Sequence, residues 1–180
     1  MRSWAIVSAS VGVAAPVVTW TVGARLQPPG YSAVRQTVSA LAAHGAADRW
    51  VMTLGLFLLG VAHMVTAAGL PEVGVRSRCT LAIGGLSVVM VALLPQPNDG
   101  HLVAATLGFL ALAAWSLPAT AVPPRARVIA SAALAALTVG FATQLGGSPL
   151  LGLTERVLIL AEALWPLAVA VRVRATAGVG

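Results

Sequence analysis

Six long apolar segments constrain the fold of this chain more than any other feature. They cover residues 4–24, 50–70, 79–94, 102–122, 128–145 and 153–171. Only 9% of the 180 residues are charged and 58% are hydrophobic, whereas soluble domains are about a quarter charged. A helix needs roughly 20 apolar residues to cross a bilayer. We therefore predict an all-α, six-helix transmembrane bundle that forms a single integral membrane domain over residues 1–180.

The arginines predict how this bundle lies in the membrane. All 11 basic residues are arginines. The side that carries the N-terminus would hold Arg2, Arg76, Arg78, Arg125, Arg127, Arg172 and Arg174, and the opposite side Arg25, Arg35, Arg49 and Arg156. Because cytoplasmic loops are enriched in arginine and lysine, we expect the N- and C-termini to be cytoplasmic. A nucleic-acid partner is not expected, since the sequence contains no basic run with interleaved aromatic residues.

The longest connection, residues 25–49, contains a helical pattern. Val34, Val38 and Leu41 recur at helical spacing, and polar residues occupy the other faces. This pattern predicts a short amphipathic helix over residues 31–43, between the first and second spans. It would lie at the outer interface or be tucked between the spans.

Polar side chains concentrate at the predicted outer end of the bundle, and one carboxylate lies deeper. Glu162 follows Glu155 by seven residues, which places both on one helical face with Glu162 about 10 Å deeper. An ionised carboxylate in a bilayer costs a few kcal/mol, so Glu162 should face protein or a cavity and hold its proton. The pattern predicts a cavity that opens outwards and has Glu162 at its floor.

We interpret this cavity as an acid–base site. Glu162 would be the catalytic acid, with Glu155 or Asp99 as its partner carboxylate, and Arg156 is expected to pair with an acid there. The residues predicted to bind substrate are Trp165, Trp20, Ser39, His101, Arg156 and Gln144. Standard metal and cofactor motifs are missing from the sequence, so neither a metal nor a cofactor is predicted.

Several of these residues also have purely structural interpretations. Asp99 could cap the fourth span, His101 could be interfacial, and Glu155 could complement a helix dipole. His63 is interpreted as an interhelical hydrogen-bonding residue. For Glu162 the structural alternative is a partner such as an arginine.

The closing motif suggests a family. The stretch from Gly152 to Arg156, followed by Glu162 and Trp165, resembles domain-of-unknown-function family 998 of prokaryotic membrane proteins. The last span of that family typically reads Gly-Leu-x-Glu-Arg and then Glu-x-x-Trp, and residues 37–50 and 95–101 also look similar to it. The resemblance implies a multi-pass protein of a prokaryotic plasma membrane whose activity is unassigned.

A looser resemblance is to small membrane-embedded terpene cyclases, which use carboxylates on isoprenoid chains. We therefore expect a membrane-embedded enzyme with a lipid or isoprenoid substrate. One alternative is an accessory membrane protein that associates with itself or with other proteins through small-residue faces such as 111–114 and 130–136. A proton-coupled transporter is the other, although the sequence has no internal repeat.

Overall fold

The computed structural model describes residues 2–177, and all regular elements in that part of the chain are helical. The helices are α1 (Trp4–Leu26), α2 (Val38–Ala42), α3 (Trp50–Gly69), α4 (Val75–Leu93), α5 (Asp99–Ala114), α6 (Pro124–Ala142) and α7 (Leu151–Ala177). A 3-10 turn at Pro71–Val73 connects α3 to α4. The prediction of an all-α chain is confirmed.

Four of these helices, α1, α3, α4 and α6, are long and apolar enough to cross a membrane. Helix α5 has only 16 residues, and the 27-residue α7 contains charged side chains along its length. Helix α5 ends at Ala114, well before the predicted boundary at residue 122. Pro118 explains this early end, because proline lacks an N–H and disfavours the helical conformation of the residue before it.

Glycines allow the central helices to approach closely. A Cβ on Gly60 of α3 would lie 2.5 Å from the carbonyl oxygen of Gly85 on α4, and a Cβ on Gly85 would lie 2.6 Å from that of Gly60. Thr19 of α1 fills the space above Gly55 in the same way. Such small-residue contacts are typical of helix pairs in membranes, where close van der Waals packing drives association.

Two buried apolar clusters lie at opposite ends of the bundle. One combines Ala5 at the start of α1 with Val169 and Val173 near the end of α7, so both ends of the described chain lie at one end of the bundle. The other contains Val38 and Leu41 of α2. We call the end with this second cluster the α2 end.

The predicted amphipathic helix over residues 31–43 is not found in that form. Helix α2 spans only Val38–Ala42, and residues 31–37 form turns that end in an extended Thr37 (φ −63°, ψ 160°). The Thr37 side chain caps α2 by accepting a hydrogen bond from the Ala40 N–H at 3.0 Å. Four of the five residues of α2 are buried, so it is packed between the long helices and not spread along an interface.

Candidate functional site

Arg156 of α7 binds backbone carbonyls and a phenol at the α2 end. Its Nη1 donates hydrogen bonds to the carbonyl oxygens of Ala33 at 2.6 Å and Gln36 at 2.8 Å, and its Nη2 donates to the Tyr31 hydroxyl at 2.7 Å. The guanidinium also lies over the Trp20 ring, 5.9 Å from its centroid. Among the described residues, Arg156 hydrogen-bonds to these oxygens and not to an acid, because the turns at residues 31–36 direct them towards α7. Its charge still acts on the neighbouring Glu155.

Tyr31 is partly buried beneath this guanidinium. Burial raises the pKa of its hydroxyl above the usual 10.0, and the positive charge and hydrogen bond of Arg156 oppose that rise. The hydroxyl thus remains protonated and accepts the hydrogen bond from Arg156 over the whole neutral range.

Gly152 lets the turns approach α7 at van der Waals distance. A Cβ at this position would lie 2.6 Å from the carbonyl oxygen of Ala33 and still closer to that of Gln36. One residue further on, the Leu153 N–H donates to the Val34 carbonyl oxygen at 3.0 Å. We call residues 152–156 the clamp, because they hold the turns at residues 31–36 against α7.

Glu155 belongs to the same clamp. It is only 4% exposed, and its Oε2 accepts a hydrogen bond from the Val38 N–H at the start of α2. Its Oε1 accepts from the Ser39 hydroxyl at 3.4 Å. Glu155 therefore satisfies an N–H that has no partner within α2, as the first turn of any helix requires.

Two adjoining cavities lie next to Glu155. The outer cavity has a volume of about 310 Å³ and the inner cavity about 40 Å³. Both are lined by Ser39, Ala105, Phe109 and Glu155, so these four residues separate them.

The outer cavity is apolar along most of its length. Leu102 and Leu110 of α5 line one side, and Val139 of α6 lines another. Its polar groups include the buried His101, whose Nδ1–H donates to the carbonyl oxygen of Leu94 at 2.8 Å. This bond leaves Nε2 of the neutral ring as a hydrogen-bond acceptor.

The inner cavity contains two buried ionisable side chains. Glu162 is 2% exposed, and its Oε1 has no hydrogen-bond partner among residues 2–177. His63 of α3 is also 2% exposed, and its Nε2 likewise lacks a partner in the described chain. The arginine partner considered for Glu162 is therefore not found there, and His63 does not use Nε2 for an interhelical bond.

Sequence reasoning did not assign His63 to this site. Its position near the middle of a predicted span was the available signal, because ionisable residues are expensive there and commonly functional. The sequence does not reveal the relative rotation of α3 and α7, which places His63 and Glu162 at the same cavity.

The other predicted site residues lie outside both cavities. Asp99 is exposed in the first turn of α5, beside Asn98, which caps that helix by accepting from the Gly100 N–H at 2.8 Å. Gln144 donates to the Thr143 hydroxyl at 3.2 Å. Trp165 packs on the apolar cluster at the end opposite α2.

Within residues 2–177, no three His, Cys, Asp or Glu side chains come together as metal ligands would.

Comparison with known proteins places the chain in a family. The family model described as "Protein of unknown function (DUF998)" matches residues 10–172, which include the clamp, His63 and Glu162. No curated protein and no solved structure is detectably similar to the chain. With its apolar helices and a match over nearly its whole length, the chain is a membrane protein that belongs to the DUF998 family.

Proposed function

We propose that this DUF998 protein is a membrane-embedded enzyme that performs acid–base chemistry on a lipid or isoprenoid chain, in the manner of small membrane-embedded terpene cyclases. The supporting observation is the unpartnered Oε1 of the buried Glu162. Buried polar groups are nearly always hydrogen-bonded, and leaving one unpaired costs about 1–3 kcal/mol. A carboxyl group with a purely structural role would have partners, as Glu155 does.

The outer cavity suits an apolar chain with a polar end. Its volume of about 310 Å³ lies at the lower end of the range for small-molecule sites, which is roughly 300–1,000 Å³. The polar end would lie at His101, and most of the apolar part would lie between α5 and α6. One alkene would reach past Phe109, which lines both cavities, towards Glu162 in the inner cavity. Helix α6 buries only Ser131, Leu134 and Phe141, so a lipid could enter sideways past it.

In the proposed reaction, Glu162 gives its proton to an alkene carbon of the substrate. The O–H bond breaks as a C–H bond forms, and the neighbouring carbon becomes a cation. A second alkene of the chain closes on this cation, and loss of a proton from carbon to the carboxylate restores the acid. The net reaction is an isomerisation without any co-reactant.

Phe109 would stabilise the cation in this reaction. It lines both cavities, and its ring meets that of Phe141 edge-on, with the ring centroids 5.4 Å apart. The negative face of an aromatic ring attracts cations within about 6 Å. Trp20, which the sequence predicts to bind substrate, instead lies under Arg156 and would act by holding the clamp.

The proposal includes a topology. We place α1, α3, α4, α5, α6 and α7 as six spans of one domain in the plasma membrane of a prokaryote. The N- and C-termini would be cytoplasmic, and the α2 end would face outwards. The seven arginines assigned to the side of the termini support this orientation.

Lipid profiling tests the reaction. The full chain, Glu162→Gln and the exposed control Asp48→Asn are expressed in a bacterial host supplied with linear isoprenoid alcohols, and membrane extracts are compared by mass spectrometry. We expect an isomeric isoprenoid with wild type and with Asp48→Asn. Glu162→Gln should reduce it at least 100-fold, since general acids contribute about 10²–10⁴-fold. The proposed enzymatic activity would be contradicted if wild type leaves the lipid profile of the host unchanged, or if Glu162→Gln gives full conversion. Either result would favour an accessory protein.

A further inference from the structure

We propose that His63 and Glu162 form a proton-sharing pair, joined by water in the inner cavity. The catalytic use of this pair rests on the proposed function, but its existence can be measured without turnover. His63 would be a second functional residue of the site, and it lies on α3, a helix from which no site residue was predicted.

The first support is that the two groups are unsatisfied in the same place. Both side chains line the inner cavity, and both are only 2% exposed. Each has one atom without a hydrogen-bond partner in the described chain. Each of these two groups would cost free energy if the cavity stayed dry. One bridging molecule with donors and acceptors would remove both costs.

The second support is the orientation of the imidazole. A Cβ on Gly12 of α1 would lie 3.6 Å from Nδ1 of His63 and 3.8 Å from Cε1, so α1 covers this edge of the ring. The nitrogen without a partner is Nε2. The ring is thus fixed by packing on its Nδ1 side, and Nε2 is the nitrogen left to bind a molecule in the cavity.

The third support is the size and lining of the cavity. Its volume of about 40 Å³ exceeds the roughly 10–15 Å³ that one water requires. A buried water needs 2–4 polar partners, and Ser39, His63, Glu155 and Glu162 all line this space. The lining residues of α4 and α5 are apolar, so water would be held by these four side chains.

The ionisable groups around the cavity limit where the proton can go. Among its lining residues only His63, Glu155 and Glu162 titrate, and Glu155 is engaged by Val38 and Ser39. Transfer from the Glu162 carboxyl through water to Nε2 breaks one O–H bond and forms one N–H bond. It creates opposite charges on neighbouring groups, so the cavity keeps the same net charge. The proton that the substrate cation returns to the Glu162 carboxylate would thus travel by way of Nε2 of His63.

Nuclear magnetic resonance of histidine nitrogens tests the pair. The chain has 3 histidines, so a sample labelled with ¹⁵N-histidine gives one set of ring signals each for His44, His63 and His101. We expect Glu162→Gln to move the Nε2 signal of His63 and to leave the signals of His44 and His101 in place. Asp48→Asn, at an exposed carboxylate, should move none of them.

The wild-type protein supplies a second measurement if Glu162→Gln fails to fold. Magnetisation transfer from water protons to the His63 ring should be observed, because the proposed water lies next to it. The pair would be overturned if the Nε2 signal of His63 does not move in folded Glu162→Gln. It would also be overturned if no magnetisation is transferred from water protons to the His63 ring of the wild-type protein. If Glu162→Gln abolishes turnover but leaves the His63 signal unchanged, the pair is refuted and the proposed reaction stands. If Glu162→Gln moves the His63 signal but the wild-type protein shows no turnover, the pair stands and the proposed reaction is refuted.

Discussion

At the scale of residues, two carboxylates on one face of α7 differ in their hydrogen bonding. Glu155 accepts from Val38 and Ser39, whereas Oε1 of Glu162, two helical turns further on, has no partner in the described chain. The difference arises because α2 reaches only as far as Glu155. The sequence could not reveal it, since Val38 lies 117 residues before Glu155. The general expectation that a buried carboxylate has a functional role therefore applies best to Glu162.

Tyr31 provides a pH-dependent test of the clamp. Its raised pKa means that the folded protein keeps the hydroxyl proton at a pH where the unfolded chain has lost it. Stability should therefore fall as pH rises above 10.0, the ordinary tyrosine value. Below that pH, Tyr31→Phe should cost about 1 kcal/mol, because the hydrogen bond from Arg156 is lost.

The measurement is thermal unfolding in detergent of wild type and Tyr31→Phe between neutral pH and pH values above 10.0. We expect the gap in melting temperature to narrow as pH rises, since only wild type carries the phenol. A gap that stays constant or widens would show that Tyr31 does not titrate as its burial requires.

At the scale of elements, the long helices were predictable and the segment before α2 was not. Apolar runs mark helices because each run must satisfy its own backbone hydrogen bonds in lipid. Residues 31–37 carry the same helical spacing, yet the carbonyls of Ala33, Val34 and Gln36 accept bonds from α7. This competition depends on Gly152 and Arg156, more than 100 residues away in sequence, so local periodicity could not reveal it.

The close approach at Gly152 gives a direct test of the clamp. In Gly152→Ala the new Cβ would collide with backbone carbonyls, and backbone has to shift to make room. We expect a loss of about 1–3 kcal/mol, as for other overpacked positions. The matched control is Gly140→Ala in α6, where a Cβ meets no atom within 4 Å.

Gly140→Ala should be neutral or slightly stabilising, because alanine is the better helix former by roughly 0.5–1 kcal/mol. Both variants can be compared by thermal unfolding and by protease cleavage within residues 31–37, which should increase only in Gly152→Ala. Equal behaviour of the two variants would mean that the clamp does not hold these turns.

At the scale of the whole molecule, the ends of the bundle differ in chemistry. At the end that holds both ends of the described chain, arginines bind backbone carbonyls. Arg78 donates to Ala67 near the end of α3 at 2.8 Å, and Arg127 donates to Ala119 in the connection between α5 and α6 at 2.9 Å. The α2 end contains the clamp and the outer cavity. In the proposed orientation, the end with seven arginines would meet anionic lipid heads, and the outer cavity would take up the proposed substrate from the other side.

The proposed orientation can be measured with single cysteines. The sequence contains a single cysteine, Cys79, so Cys79→Ser gives a cysteine-free background. One new cysteine introduced into it reports which side of the membrane its position faces. His44 at the α2 end and Arg125 at the other end are both exposed, and His44→Cys and Arg125→Cys are the informative variants.

In intact cells a membrane-impermeant maleimide should label His44→Cys only, and Arg125→Cys should react after the membrane is opened. The physical reason is the split of seven arginines to four, which favours retention of the arginine-rich side in the cytoplasm. The reverse labelling pattern would show that the bundle has the opposite orientation, with the mouth of the outer cavity in the cytoplasmic leaflet. Labelling of both variants from outside would contradict the six-span arrangement itself.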